Sequence, residues 1–573
     1  MINISKNDFL LLLSYFAITT ILYVLPFIKL PLGYNTAWMF FVFSSDASLT
    51  LTHYYESAGI IPGNIIESVK SVSNFYGRAS FLNLGQYWLL AKLFPELDIV
   101  WRLLPVTAMT LSVFFWHKIL SKFHLPYIIL SIIIFFLITD PSSVWMDWNK
   151  AESIGFLFYT ISCYCSFSNK NISYYLLVFC FLCSLFFKET FFIGLPLIIL
   201  FRMYSADANK MDSIRIFIIK FIKNNIFLLS SSFGYVVFMT IFFLNIDLSN
   251  SYFLNLVEVS PEFVPFTIEY IKLQLPIYFG DLYFIYFPMI ILLLGILLFD
   301  ILFFSGKTTE NYNLKWMIFL SYILTFIFYF FVLYEFGVVH RRYMIPVNIF
   351  NMMFVVFMFK FYRHHLKFDI SIIVYTILCV PCIFWIYEFN VILSSLLLIF
   401  VLITIVLVKF FKLSKLRLEL IKIIAFLFII IPVTDQLIVN LAASRSELIQ
   451  WKSVNRTIIS NELKPESTLL LNLSKNFIIE HAISMEVNSV ISGRDDIVFF
   501  VNTKNLPQDI KSNPFQLKEI QRFNEGKTAN LNENYEIYRI GNDNKKNKSL
   551  IDNIQNRYKT STYDSFYKIK SND

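Results

Sequence analysis

Charge is scarce in this chain: Asp, Glu, Lys and Arg make up 15% of its 573 residues, against 57% hydrophobic and 18% aromatic. With a mean hydropathy of +0.62 it cannot cover a globular surface with polar groups, and its solvent is lipid. A cysteine framework is missing as well. All six cysteines (Cys163, Cys165, Cys180, Cys183, Cys379 and Cys382) fall in apolar runs, which excludes a disulfide scaffold or a zinc ribbon. Cys379-Val-Pro-Cys382 has a redox spacing, but inside an apolar run it reads as packing. His53 has no second histidine at ligand spacing, so no metal role is expected for it. The first apolar run, residues 9–28, lacks a small-residue cleavage site and reads as a retained helix rather than a signal peptide. The net charge of +8 could suggest nucleic acid, yet most basic residues sit in short loops between apolar runs, so topology explains them and no nucleic-acid partner is expected.

What is present is one long apolar run after another. Crossing a hydrocarbon core of about 30 Å takes about 20 residues of helix. Candidate spans fall at 8–30, 99–120, 125–141, 151–168, 172–187, 189–203, 224–246, 282–305, 315–334, 343–361, 370–388, 391–409 and 419–438, about thirteen in all. Lys188-Glu189-Thr190 divides 172–203 into two short spans, because Lys170 before it and Arg202, Lys210, Arg215, Lys220 and Lys223 after it place both ends in the cytoplasm. The same alternation puts Lys118 and Lys122, Lys307, Lys360 to Lys367, and Lys409 to Arg417 inside. The N-terminus is then cytoplasmic, and the long loops 31–98 and 247–281 lie outside with Asp46, Glu56, Glu67, Glu258, Glu262 and Glu269. The expected organisation is a transmembrane domain over 1–438 and an extracytoplasmic domain over 439–573. Three segments of the latter read as strands (467–472, 497–502, 535–540), with helical stretches near 440–462 and 476–488, giving a small α/β domain. Residues 541–573 are polar and Lys/Asn-rich and read as partly disordered.

The first outer loop carries Trp38-Met-Phe-Phe-Val-Phe-Ser-Ser-Asp46, an amphipathic stretch with His53, Tyr54, Tyr55 and Glu56, then Phe75-Tyr-Gly-Arg78, Gln86-Tyr-Trp and Trp101-Arg102-Leu-Leu-Pro105. Further on come Asp140-Pro-Ser-Ser-Val-Trp-Met-Asp147, Leu185-Phe-Phe-Lys188-Glu-Thr and His340-Arg341-Arg342-Tyr343-Met-Ile-Pro346. This order resembles the GT-C class of membrane glycosyltransferases, in particular the protein mannosyltransferase and lipid A aminoarabinose transferase branch. Two departures stand out: Arg78-Ala-Ser-Phe-Leu-Asn replaces the family's paired prolines, and Asp46 is a single acid where some members carry a pair.

The resemblance implies an all-α polytopic GT-C-like fold in a bacterial inner membrane. It also implies transfer of a sugar from a polyprenyl-phosphate-linked donor to a lipid- or glycan-linked acceptor at the outer surface. Asp46 would be the catalytic group, as general base or by orienting the acceptor, with Asp147 assisting it or joining it around a divalent metal ion. Lys188, Arg342, Arg341 and Arg102 would hold the donor phosphate, since external cations oppose the positive-inside rule and need another reason. The bland alternatives are a helix cap at Asp46, a solvated loop residue at Asp147 and a snorkelling anchor at Lys188. Two rivals stay open: a surface-polysaccharide polymerase or ligase, and a transporter, which would need charges buried within the spans.

Overall fold

The computed structural model describes residues 6–25, 66, 81–93, 98–123, 151–168, 170–205, 214–245, 294–304, 312–332 and 345–362, and parts of 468–569. In the first 362 residues the described structure is almost wholly helical. The helices are α1 (Lys6–Tyr23), α2 (Phe81–Leu93), α3 (Asp98–Ser121), α4 (Ala151–Cys165) and α5 (Asn171–Phe187). A 3-10 helix (Glu189–Gly194) leads into α6 (Leu195–Ser205), followed by α7 (Ile214–Asn245), a π-helical turn at Asp300–Phe304, α8 (Tyr312–Val332) and α9 (Ile345–Tyr362). Helices suit such sequences because lipid offers no partners to backbone N–H and C=O groups, which a helix satisfies internally. Three stretches are long and apolar enough to cross a membrane: Arg102–Ser121, Ile222–Phe242 and Leu314–Val332. The described part is that of an all-α membrane protein. The expected spans at 125–141, 370–388, 391–409 and 419–438 lie outside the described residues.

Side-chain contacts fix how the helices run. Antiparallel α1 and α3 meet through the hydroxyls of Thr19 and Thr110 at 2.8 Å and through an Asp8–Lys118 ion pair. Parallel α3 and α4 meet where Trp116 Nε1 donates to Thr160 Oγ1 at 3.1 Å, with Phe115 against Tyr164 and Phe123 against Phe167. The chain reverses into α5, where Ser162 Oγ donates to the Leu177 carbonyl and Phe158 stacks on Phe187. It reverses again at Lys188, so that α6 runs beside α4, with Tyr159 Oη donating to the Gly194 carbonyl and Ser205 Oγ to that of Ser166. Helix α7 runs parallel to α5, where Tyr235 Oη donates to the Leu185 carbonyl and Phe186 packs on Phe238. Phe192 of the 3-10 helix meets Phe328 of α8, whereas Phe357 of α9 meets Phe123 and Tyr204 at the opposite end. Of the three long apolar helices α3 is the most enclosed, 72% of its apolar window being buried against 39% for α8 and 28% for α7.

The two ends differ in charge. One gathers Lys118, Lys122, Lys170 and Arg202, with Lys122 over the rings of Tyr164 and Phe167. The other carries Arg102, Glu152, Lys188 and Glu189.

The C-terminal part holds a four-stranded sheet of β1 (Thr468–Leu471), β2 (Val498–Val501), β3 (Glu536–Gly541) and β4 (Ser565–Ile569), in the order β2-β1-β3-β4. Strand β1 pairs in parallel with both β2 and β3, and β3 pairs antiparallel with β4. The first three strands fall within one residue of the segments expected from the sequence. The fourth falls inside the segment read as partly disordered: Phe566, Tyr567 and Ile569 are strand formers embedded in a polar tail, and pairing with β3 supplies the context that local composition lacks. At the edge of the sheet the Asn524 carboxamide bonds both backbone groups of Val501, each at 2.9 Å, so at this residue the edge strand β2 has its hydrogen-bonding groups paired.

Candidate functional site

The reversal at Lys188 follows from local chemistry. Lys188 is extended (φ −157°, ψ 119°) and ends α5 with its N–H on the Ser184 carbonyl at 2.9 Å. Seven residues on, Leu195 N–H reaches the Phe192 carbonyl, an i→i+3 bond. The α-helical donor for that carbonyl would be Pro196, which has no N–H, so the segment winds as a 3-10 helix until α6 takes over. Two glycines then let the segment lie close to α4. A Cβ on Gly155 would stand 2.7 Å from Phe191 Cε2, and one on Gly194 would enter the Tyr159 ring.

The consequence is that the turn is buried. Lys188 is 3% exposed, and its Nζ lies 3.0 Å from Glu189 Oε1, the carboxylate side chain being 19% exposed. Burial sets Lys188 apart from the alternative of a snorkelling anchor, and α8 and α9 pack on the adjoining 3-10 helix from more than a hundred residues away. In a lipid-embedded bundle a buried ionisable group marks a site of function by default.

Other polar groups share this end. Gly155 is level with Phe187 and Phe191, so Glu152, less than a turn beyond Gly155, stands near the Lys188 turn, and Glu152 is 3% exposed. From the Trp116–Thr160 contact, α3 extends about 21 Å back to Arg102 and α4 about 12 Å back to Glu152, so the guanidinium belongs to the same end. Arg102 is 1% exposed. Pro105 lies within α3 and cannot donate to the carbonyl of Trp101, which leaves an acceptor beside Arg102. Helix α2 starts here too, its Phe81 against Phe238 and Phe242. Its first two turns bury Asn83, Tyr87 and the Oε1 of Gln86, which has no hydrogen-bond partner among the described residues.

Of the expected site residues, Lys188 and Arg102 are thus both buried at one end of the bundle. Asp46, Asp147, Arg341 and Arg342 lie outside the described residues; α9, which follows Arg342 in sequence, begins at this end, since its Phe357 reaches the other. No group of His, Cys, Asp or Glu suited to a metal ion occurs among the described residues. No family model, curated protein or solved structure matches the chain. The site is therefore read from its own chemistry. Sequence reasoning had not singled out Glu152, because a lone acid in the first turn of a helix ordinarily serves the helix dipole, and only its burial separates it from that role.

Proposed function

We propose that this protein is a membrane glycosyltransferase that moves a sugar from a polyprenyl-phosphate-linked donor to an acceptor outside the cytoplasm. The observation that carries this reading is the burial of Arg102, Glu152 and the Lys188–Glu189 pair at one end of an otherwise apolar bundle, opposite the end that gathers Lys118, Lys122, Lys170 and Arg202. By the positive-inside rule the lysine-rich end is cytoplasmic, which makes the buried polar end external. There the polyprenyl chain lies among apolar helices, while Lys188 and Arg102 meet its phosphate at the interface. The acceptor oxygen attacks the anomeric carbon and passes its proton to the Asp46 carboxylate. The bond from that carbon to the phosphate oxygen breaks, and polyprenyl phosphate departs with its charge held by the cations. Asp147 assists Asp46, by hydrogen bonding or through a divalent ion.

The test is to replace Asp46 with Asn and then Ala and to follow cell-envelope glycans by mass spectrometry, with full-length protein confirmed in the membrane. Loss of one sugar modification in both variants is the expected outcome. Unchanged modification rejects the assignment. One observation favours a transporter as the second reading: charges buried beside a broken helical segment are also how transporters build substrate sites. Under that reading the Asp46 variants change the movement of a solute across sealed vesicles and leave glycan composition untouched.

A further inference from the structure

Helices α5 and α7 run parallel and share an apolar face that ends in cations. Tyr174 and Tyr175 of α5 pack edge-on against Phe227 of α7, with centroids 6.2 and 5.7 Å away. One turn nearer the helix starts, and so on the same face, stand Lys170, four residues before Tyr174, and Lys223, four before Phe227; both are exposed. Arg202 of α6 completes the group. Its guanidinium carbon lies 3.7 Å from the centroid of the Tyr174 ring and its Nε donates to the Asn224 carbonyl at 2.8 Å, so this charge is fixed in place. None of α5, α6 and α7 contains an acidic residue.

Depth agrees with charge. Helix α5 is 17 residues long, close to the thickness of a hydrocarbon core, which places Lys170 at headgroup level. Helix α7, at 32 residues, overruns the core and carries Lys223 to the same level. Toward the membrane interior the face continues through Tyr175 (61% exposed), Phe179 (60%) and Phe227 (45%). Three cations with no anion on their own helices, above a strip of exposed apolar side chains, complement one molecule that is anionic at one end and apolar along the rest.

We propose that this face binds an anionic phospholipid, its phosphate among Lys170, Lys223 and Arg202 and its acyl chains along Tyr175, Phe179 and Phe227. The proposal depends on the membrane-embedded bundle and is independent of sugar transfer. Each cation near an anionic lipid surface contributes about five-fold in binding, so neutralising two weakens it about 25-fold.

The experiment uses the full-length protein in neutral detergent, titrated with dioleoylphosphatidylglycerol or dioleoylphosphatidylcholine and read by native mass spectrometry. Selective retention of phosphatidylglycerol is expected, falling about 25-fold in Lys170→Gln/Lys223→Gln and persisting in Lys170→Arg/Lys223→Arg. Equal retention of the two lipids by the unmodified protein overturns the proposal. So does undiminished phosphatidylglycerol binding by the glutamine variant, whose integrity is checked by its unfolding midpoint.

Discussion

Replacing Lys188 with Met removes the cation 3.0 Å from the Glu189 carboxylate, and replacing Glu189 with Gln removes the anion beside an ammonium whose side chain is 4% exposed. Deleting one partner of a buried ion pair costs about 3 to 5 kcal/mol, because the remaining charge keeps its desolvation penalty and loses its attraction. Glu189 is partly open, so Lys188→Met belongs near about 3 kcal/mol, and Glu189→Gln, which takes the carboxylate away from the more deeply buried group, near about 4 kcal/mol. In Lys188→Met/Glu189→Gln both penalties vanish, and most of the stability returns. The assay is a double-mutant cycle on the unfolding midpoint of the full-length protein in detergent, run beside glycan analysis of cells carrying each variant. If Lys188 holds the donor phosphate, the double variant recovers folding and still fails to transfer sugar. Single variants that unfold like the unmodified protein refute the energetic argument. A double variant that regains transfer refutes the role of Lys188 and leaves the pair as a structural one.

Two other substitutions probe the scaffold. Gly194→Ala drives a methyl group into the Tyr159 ring, and the displacement of that packed ring is expected to lower stability by about 1 to 3 kcal/mol, read as a lower unfolding midpoint in detergent. Arg202→Lys keeps the charge but loses the planar stacking on Tyr174 and the Nε bond to the Asn224 carbonyl; a loss of about 1 to 2 kcal/mol is expected in the same assay, and an unchanged midpoint would show that the clamp contributes nothing.

How much of this was legible in the chain depends on how local its cause is. The limits of α3, α5, α8 and α9 follow from runs of apolar residues bounded by charges, and the described helices match those spans within a few residues. Helix α7 is the exception, starting ten residues ahead of its expected span, because the basic stretch from Ile214 still satisfies its own backbone while carrying lysines out of the hydrocarbon. Strands β1, β2 and β3 announced themselves by short apolar runs between turn residues. Strand β4 did not, since its neighbours are polar and its stability comes from β3. The turn at Lys188 was visible as a break between two short spans. Its burial was not, because it depends on α8 and α9, whose approach no local pattern encodes. Glu152 went unnoticed for the same reason.

The contrast between α3 and α7 separates two demands that hydropathy treats as one. Along α3 each side chain such as Trp116, Met109 or Val113 must match the outline of its neighbours, so a residue of equal greasiness but different shape leaves a void or a clash. Along the outer side of α7, Phe233 and Val237 are exposed, and acyl chains, being fluid, would mould themselves to whatever they touch there, so almost any oily residue serves. Chemical alphabet matters at the periphery, and stereochemistry at the axle.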